Sequence, residues 1–290
     1  MTIGVTGANG QFGSAVVRHL RDRMPNGSVV ASVRDPSKAT GLGVEVRHGD
    51  FDEPATLPQA FAGADKLLIV STDGFDYPHK VRQHIAAAEA AVKAGVRHLV
   101  YTSVTAADTA GVVLAQAHRP TELAIESSGV PYTFLRNNTY FENDMGTVMT
   151  ALATGTIATS TRGGRFAPAA RDDYARAAAA VLGTDGHEGA IYELGAPTTY
   201  SYADWAEEIS RASGQPVSHV EVSDEQAATA VQGAGLPDGV VELFVTFYGS
   251  VARGEFDVPS QDLTKLLERE PVSLRDLVAA AVSSATSPSP

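Results

Sequence analysis

Residues 6–13 read Thr-Gly-Ala-Asn-Gly-Gln-Phe-Gly, and no other stretch restricts the possible folds as strongly. A short apolar, β-rich run, residues 2–6, precedes it. Residues 11–24 follow with helical spacing, Phe12, Val16, Val17 and Leu20 falling on one face. The glycines are spaced G-x-x-G-x-x-G, one residue wider at the first gap than the G-x-G-x-x-G form. The physical demand is the same in both. Gly7 allows a sharp turn, Gly10 lets a pyrophosphate approach the backbone, and Gly13 lets the helix pack closely. The amides at the helix start would then face the phosphates of a dinucleotide.

The rest of the first half alternates strand-like and helix-like segments. Strands are expected at residues 28–33, 44–48, 66–70, 97–102 and 132–136, and helices at 53–61, 79–94 and 119–128. Such alternation implies parallel pairing through right-handed crossovers, hence a Rossmann-like, doubly wound parallel α/β sheet. Beyond residue 137 the pattern loosens, with helices at 172–182, 202–213, 225–233, 262–270 and 274–282 and strands at 190–194 and 217–222. Residues 1–136 are expected to form the dinucleotide-binding domain. Residues 137–282 then form a smaller substrate-side α/β region that returns some segments to the main sheet. Residues 283–290, rich in Ser and Pro, are expected to be a flexible tail.

Composition narrows the function. Of 290 residues 43% are hydrophobic and 19% charged, enough for a sizeable core. Acidic residues number 34 against 22 basic, a formal charge of −12 that disfavours nucleic acid as a partner. Cysteine is absent, which removes disulfides, thiol catalysis and thiolate metal sites. The chain opens in a strand and holds no apolar run of about 18 residues, so a cytoplasmic protein with no membrane partner is expected. The expected partner is a small molecule. A monomer and a homodimer both remain open.

In the turn itself Thr6, Gly7, Asn9, Gly10, Gln11, Phe12 and Gly13 are the candidate cofactor contacts. Just past the second strand stand Arg34, Asp35 and, one turn on, Lys38. An acidic residue at this place takes both ribose hydroxyls of NAD, whereas Arg holds a 2′-phosphate. Arg34 and Lys38 favour NADP. Asp35, if it faces the ribose, favours NAD, and Arg34 also fits a solvated turn charge. After the third strand, Asp50 can accept from an adenine amino group and Phe51 can pack on the ring; Asp50 as a loop cap fits equally well.

The opening turn, Val33-Arg34-Asp35-Pro36, Tyr101-Thr102-Ser103, residues 135–143 (Leu-Arg-Asn-Asn-Thr-Tyr-Phe-Glu-Asn), Tyr192-Glu193-Leu194 and residues 235–239 (Gly-Leu-Pro-Asp-Gly) together resemble the NmrA-like branch of the atypical short-chain dehydrogenases, over nearly the whole chain. That branch includes bacterial quinone reductases and nucleotide-sensing regulators. The resemblance therefore implies an NAD(P)H-dependent oxidoreductase without flavin, acting on a quinone or similar electrophilic carbonyl, and Arg34 adds the preference for NADPH. The alternative it allows is a non-catalytic NADP(H)-sensing protein.

Ordinary short-chain alcohol dehydrogenases use Tyr-x-x-x-Lys to move the alcohol proton. No tyrosine here has Lys four residues later: Thr105 follows Tyr101 at that spacing, Arg136 follows Tyr132 and Asp144 follows Tyr140. Where the dyad would lie, the chain reads His118-Arg119-Pro120-Thr121-Glu122, and His118 with Glu122 is read as a surface pair in preference to a proton relay. A sugar-nucleotide epimerase would also need the missing tyrosine base. A quinone needs less help: proximity, a flat apolar slot and hydrogen bonds to the developing oxyanion suffice. Candidate groups lie on loops past the strand ends, namely Ser71, Phe75 and Tyr77, then Thr102 and Ser103, then Asn137, Asn138, Tyr140 and Phe141. Asn137, Tyr140 and Tyr77 are expected to position substrate, and Ser71, Thr102, Ser103 and Asn137 to touch the cofactor. No H-E-x-x-H or G-x-S-x-G occurs, so no metal is expected and hydrolase chemistry is unsupported; His187-Glu188 is read as solvated.

Overall fold

The computed structural model describes residues 1–74, 76–109, 114–233 and 238–286. These divide into two compact units, one built from residues 1–109, 114–137 and 172–194, the other from 138–171 and 195–286.

The first unit begins β1 (Ile3–Thr6), α1 (Gln11–Arg21), β2 (Val29–Val33), β3 (Glu45–His48), α2 (Leu57–Phe61), β4 (Lys66–Ile69), α3 (Tyr77–Lys93), β5 (His98–Val104), α4 (Ala115–Ser127) and β6 (Tyr132–Asn137). After α5 (Met145–Thr154) and β7 (Thr156–Thr159) of the other unit, α6 (Arg171–Gly183) leads into β8 (Ile191–Leu194). The sheet order is β3-β2-β1-β4-β5-β6-β8, and every pairing is parallel. All residues of β1, β2, β4 and β5 are buried, as strands covered on both faces must be. The order runs one way from β1 and the other way from β4. The crevice beyond the carboxyl ends of these two strands is therefore the switch point where such sheets place ligands.

One face is covered by α2, α3 and α4. Ala87, Ala88, Ala90 and Ala91 of α3 are small enough to bring that helix close to Leu99 and Tyr101 of β5. Lys66 is an apparent misfit in buried β4. Its ammonium leaves the core to meet the Thr184 carbonyl and Asp185, the latter at 3.2 Å.

Several boundaries differ from expectation. The fourth helix begins at Ala115 instead of 119 and carries Pro120 in its interior. A proline suits a first helical position, and here it stands inside the helix instead. Burial of Ala115, Ala117 and His118 on the extra turn extends the helix past that preference. The helix expected at 53–61 is a 3₁₀ turn, Pro54–Thr56, followed by α2.

In the second unit β7 pairs in parallel with β9 (Ser218–Glu221), beside α7 (Tyr202–Ser213), α8 (Asp224–Gln232), α9 (Asp238–Ala252), α10 (Asp262–Leu267) and α11 (Leu274–Thr286). Ser201 and Asp204 close a capping box on α7. The interior is aromatic: Trp205 stacks on Phe141 and Phe166, and Tyr202 packs edge-on to Tyr248. Three elements here, α5, β7 and α9, were not expected. The expected frayed tail is also corrected in part. Residues 283–286 continue α11, and 287–290 lie outside the described residues.

Candidate nucleotide site and its polar neighbours

The turn between β1 and α1 has the backbone its glycines allow. Gly7 sits at φ +60°, in the left-handed region. A side chain at Gly13 would put its Cβ 2.8 Å from the carbonyl carbon of Gly7, so α1 can approach the turn only because that atom is absent. Gly7, Asn9, Gly10 and Gln11 are exposed. Gly10 N–H donates to Gly7 O at 2.9 Å, and Gly10 is the N-cap of α1. No side chain caps this helix, and its first turn holds no acidic residue. Its N-terminal amides and positive dipole end are thus open to an anion, and the last turn carries Arg18, His19 and Arg21 at the opposite pole.

Asn9 Nδ2 donates to the Asp35 carbonyl at 3.1 Å and ties the turn to the loop after β2. There the two adjacent charges separate. The Asp35 carboxylate accepts from Ser37 N–H at 3.1 Å and Ser37 Oγ at 2.6 Å, and pairs with Lys38 at 3.5 Å. The Ser37 hydroxyl bond is the main cause of its lowered pKa. Arg34 is exposed and engages no hydrogen bond or ion pair among the described residues. Asp50 accepts from Asp52 N–H at 2.9 Å, and Phe51 packs against the core under α3.

Beyond β4 and β5, hydroxyls expected to face a cofactor are engaged with protein. Thr6 Oγ1 accepts from Val70 N–H and Thr102 Oγ1 from Ser71 N–H, each at 2.9 Å, so the β4 exit is stapled from both sides. Ser103 Oγ donates to Glu122 at 2.7 Å. Tyr77 opens α3 and is half-buried, Asn137 ends β6 in the first unit, and Phe75 lies outside the described residues. In the second unit the Arg171 guanidinium lies 5.3 Å from the Tyr140 ring centre, Asn138 Nδ2 donates to the Phe256 carbonyl, and Phe141 is buried on Trp205. Phe141 is thus core, not a candidate contact.

The His118/Glu122 reading is corrected outright. Both are buried, Glu122 completely, and neither forms a surface pair. Glu122 receives the Arg136 guanidinium on both oxygens at 2.9 Å, while Arg136 Nη1 also reaches Asp108 at 3.0 Å and Glu193 at 3.1 Å. Burial opposes the charge on Arg136, but these carboxylates outweigh it and raise its pKa. Glu193 further binds Thr105 Oγ1 and Ala106 N–H, pinning the loop after β5. His118 joins a different chain: Thr72 N–H donates to His84 Nε2 at 3.0 Å, and Tyr101 OH lies 3.2 Å from His84 Nδ1 and 2.8 Å from His118 Nδ1. Burial, reinforced by Lys80, lowers the His84 pKa to about 3 and holds His118 well below its ordinary value. Spacing alone could not reveal either network, because i,i+4 spacing identifies a shared helix face without saying what covers it. His187 is half-buried and bonded to Thr184 and Tyr192, so it is not simply solvated. Among the described residues no group of His, Asp or Glu could hold a metal ion, and no helix is long and apolar enough to cross a membrane.

A Rossmann-type sheet, an open phosphate cradle at its first helix and no Tyr-x-x-x-Lys dyad define a dinucleotide-binding fold of the atypical dehydrogenase class. The chain belongs to the NmrA-like family, whose model matches residues 1–274. It is 35% identical to quinone oxidoreductase 2 of Escherichia coli over 96% of this chain and 97% of that one. The crystal structure of that reductase with NADPH has a TM-score of 0.92, covering 96% of this chain and 99% of its own. It is 31% identical to an NAD(P)H azoreductase of Xenophilus azovorans, covering 84% and 85% of the two chains. The triphenylmethane reductase of Citrobacter sp. in complex with NADP(H) matches at 36% identity and TM-score 0.92, over 97% of this chain and all of that one.

Proposed function

We propose that this protein is an NADPH-dependent oxidoreductase of the cytoplasm that delivers hydride to a quinone or a similarly electrophilic, flat acceptor, with NADH as a poorer donor. The observation that carries the reading is the uncapped, acid-free N-terminus of α1 above a glycine turn that a single Cβ would close. The full-length likeness to NADP(H)-using reductases of quinones, azo compounds and triphenylmethane dyes supports the choice of acceptor.

The first unit holds the nucleotide. Backbone amides at residues 11–13 take the pyrophosphate, and Gly7, Gly10 and Gly13 keep side chains out of its way. Arg34, unengaged by protein, takes the 2′-phosphate. Asp35 leaves the ribose free because its carboxylate is committed to Ser37 and Lys38. When bound, the nicotinamide supplies the hydride. The protein then has to position the acceptor, exclude water and stabilise the oxygen on which charge develops. Tyr77 and Asn137 of the first unit are the proposed positioning groups.

The direct test is oxidation of NADPH, followed by nicotinamide absorbance, with a benzoquinone and a naphthoquinone, and NADH run in parallel. Saturable turnover favouring NADPH is expected. Tight NADPH binding with no turnover of either quinone would overturn the reductase reading in favour of a nucleotide sensor.

A further inference from the structure

Two facing helices of the first unit present donors that no role assigned so far uses. Lys80 lies near the start of α3 and His118 near the start of α4, both buried, Lys80 at 7% exposure. Among the described residues no hydrogen bond or ion pair reaches Lys80 Nζ. Among the described residues the carboxylate bearing on it is Asp73, on the loop after β4, acting from beyond ion-pair distance. Glu122, also on α4, is committed to Arg136, Arg119 and Ser103. Burial of the side chain lowers the Lys80 pKa.

The bonds around His118 orient a second donor. His84 Nε2 accepts from Thr72 N–H, so its own proton lies on Nδ1, between Tyr101 OH and Thr121 Oγ1. Thr121 donates to the Ala117 carbonyl at 2.8 Å, and Tyr101 OH stands 2.8 Å from His118 Nδ1. With Tyr101 donating to His118 Nδ1, the shorter of its two histidine contacts, the His118 proton stands on Nε2. No partner for that nitrogen is found among the described residues. Lys80 stands one turn before His84 on the same side of α3, and the His84 and His118 rings lie 6.5 Å apart between centres, so Lys80 is on the side of α3 that faces His118.

We propose that Lys80 Nζ and His118 Nε2 form a site for an anionic phenolate-type oxygen, and that Lys80 gives this oxygen its proton in the reduction. The site supplies, from α3, the cation that the absent Tyr-x-x-x-Lys dyad would have placed on α4. This rests on the reductase reading. A quinone that receives hydride, two electrons with one proton, becomes the hydroquinone monoanion as NADPH becomes NADP⁺. An N–H bond of Lys80 then breaks and an O–H bond forms, giving neutral hydroquinone and a neutral amine that regains its proton from water. His84 from α3, Tyr101 from β5, His118 and Glu122 from α4 and Asp73 from the loop are the titratable groups facing this step. Tyr101 and His84 act as positioning residues through His118.

The test uses 4-nitrophenol, whose ionised form is yellow, added to the full-length protein saturated with NADP⁺. Wild type is expected to bind the ionised form in preference and so lower the probe's apparent pKa. Lys80→Met is expected to lose that shift and about 10-fold in phenolate affinity while keeping its NADP⁺ affinity, which also reports folding. Lys80→Arg keeps the charge but holds its proton. It is expected to retain phenolate binding and KM and to lose about 10²-fold in kcat with a naphthoquinone. Equal phenolate binding by wild type and Lys80→Met, or an unchanged kcat in Lys80→Arg, would overturn the proposal. If wild type turns over no quinone, the reductase reading falls, and the phenolate shift still decides whether the anionic-oxygen site exists.

Discussion

Arg34 and Asp35 are neighbours in sequence, and the difference between them is one of commitment. Asp35 has its oxygens filled by Ser37 and Lys38, and removing it would loosen the turn more than it would change nucleotide choice. Arg34 has no hydrogen-bond or ion-pair partner among the described residues. Arg34→Ala is expected to weaken NADPH binding by about 10-fold or more, the range for hydrogen bonds to a charged group, and to leave NADH nearly unchanged. Fluorescence titration with both nucleotides checks this, and an equal loss for the two would remove the 2′-phosphate role. The pair also marks the limit of reading residues singly. The positions were legible in the sequence, as were Thr102 and Ser103 at the end of β5. Their partners were not, because Ser71 N–H and Glu122 reach those hydroxyls only through tertiary packing.

At the scale of elements, α1 was legible because three constraints agree there: an apolar stripe, a preceding strand and glycines that no ordinary turn requires. Gly13 is the sharpest of them. Gly13→Ala would force a Cβ against the backbone of Gly7 and Ala8, atoms that cannot move aside as a side-chain tip can. The expected outcome is loss of NADPH binding by about 10²-fold and a stability loss of about 1–3 kcal/mol, as for overpacking elsewhere. Calorimetric titration and urea unfolding separate the two effects. Helix α9 is the opposite case. Glu242, Thr246 and Ser250 recur along it at four-residue spacing between Val240, Val241, Leu243, Phe244, Val245 and Phe247, so a helical period is present but narrow on its polar side, and all six apolar residues are half-exposed. Helix α4 shows a third outcome. Its existence was legible, but its start and the burial of its His118/Glu122 face depend on what α3, β5 and β6 bring to it.

On the scale of the whole molecule the two units hold different titratable groups, so acid should affect them unequally. The first buries His84 and His118 and also depresses His98 and His187, all chiefly by desolvation. For each, the folded pKa lies below the unfolded value. The unfolded chain therefore binds more protons as pH falls through about 6.5, and stability is lost. For His84, with a folded pKa of about 3, the loss between pH 7 and pH 5 is about 2 kcal/mol. The second unit depresses His219, but it also buries Asp144, whose pKa burial pushes up to about 6 despite the Tyr202 hydroxyl donating to it at 2.6 Å. A raised carboxyl works in the opposite sense: the folded unit takes up the proton first and gains about 1 kcal/mol between pH 7 and pH 5. Hydrogen exchange at these two pH values, corrected for the intrinsic rate, should show β4 and β5 amides losing protection far more than those of α7. His84→Gln should shrink that loss without touching α7. Equal losses in the two units would mean that the buried histidines do not set the acid response.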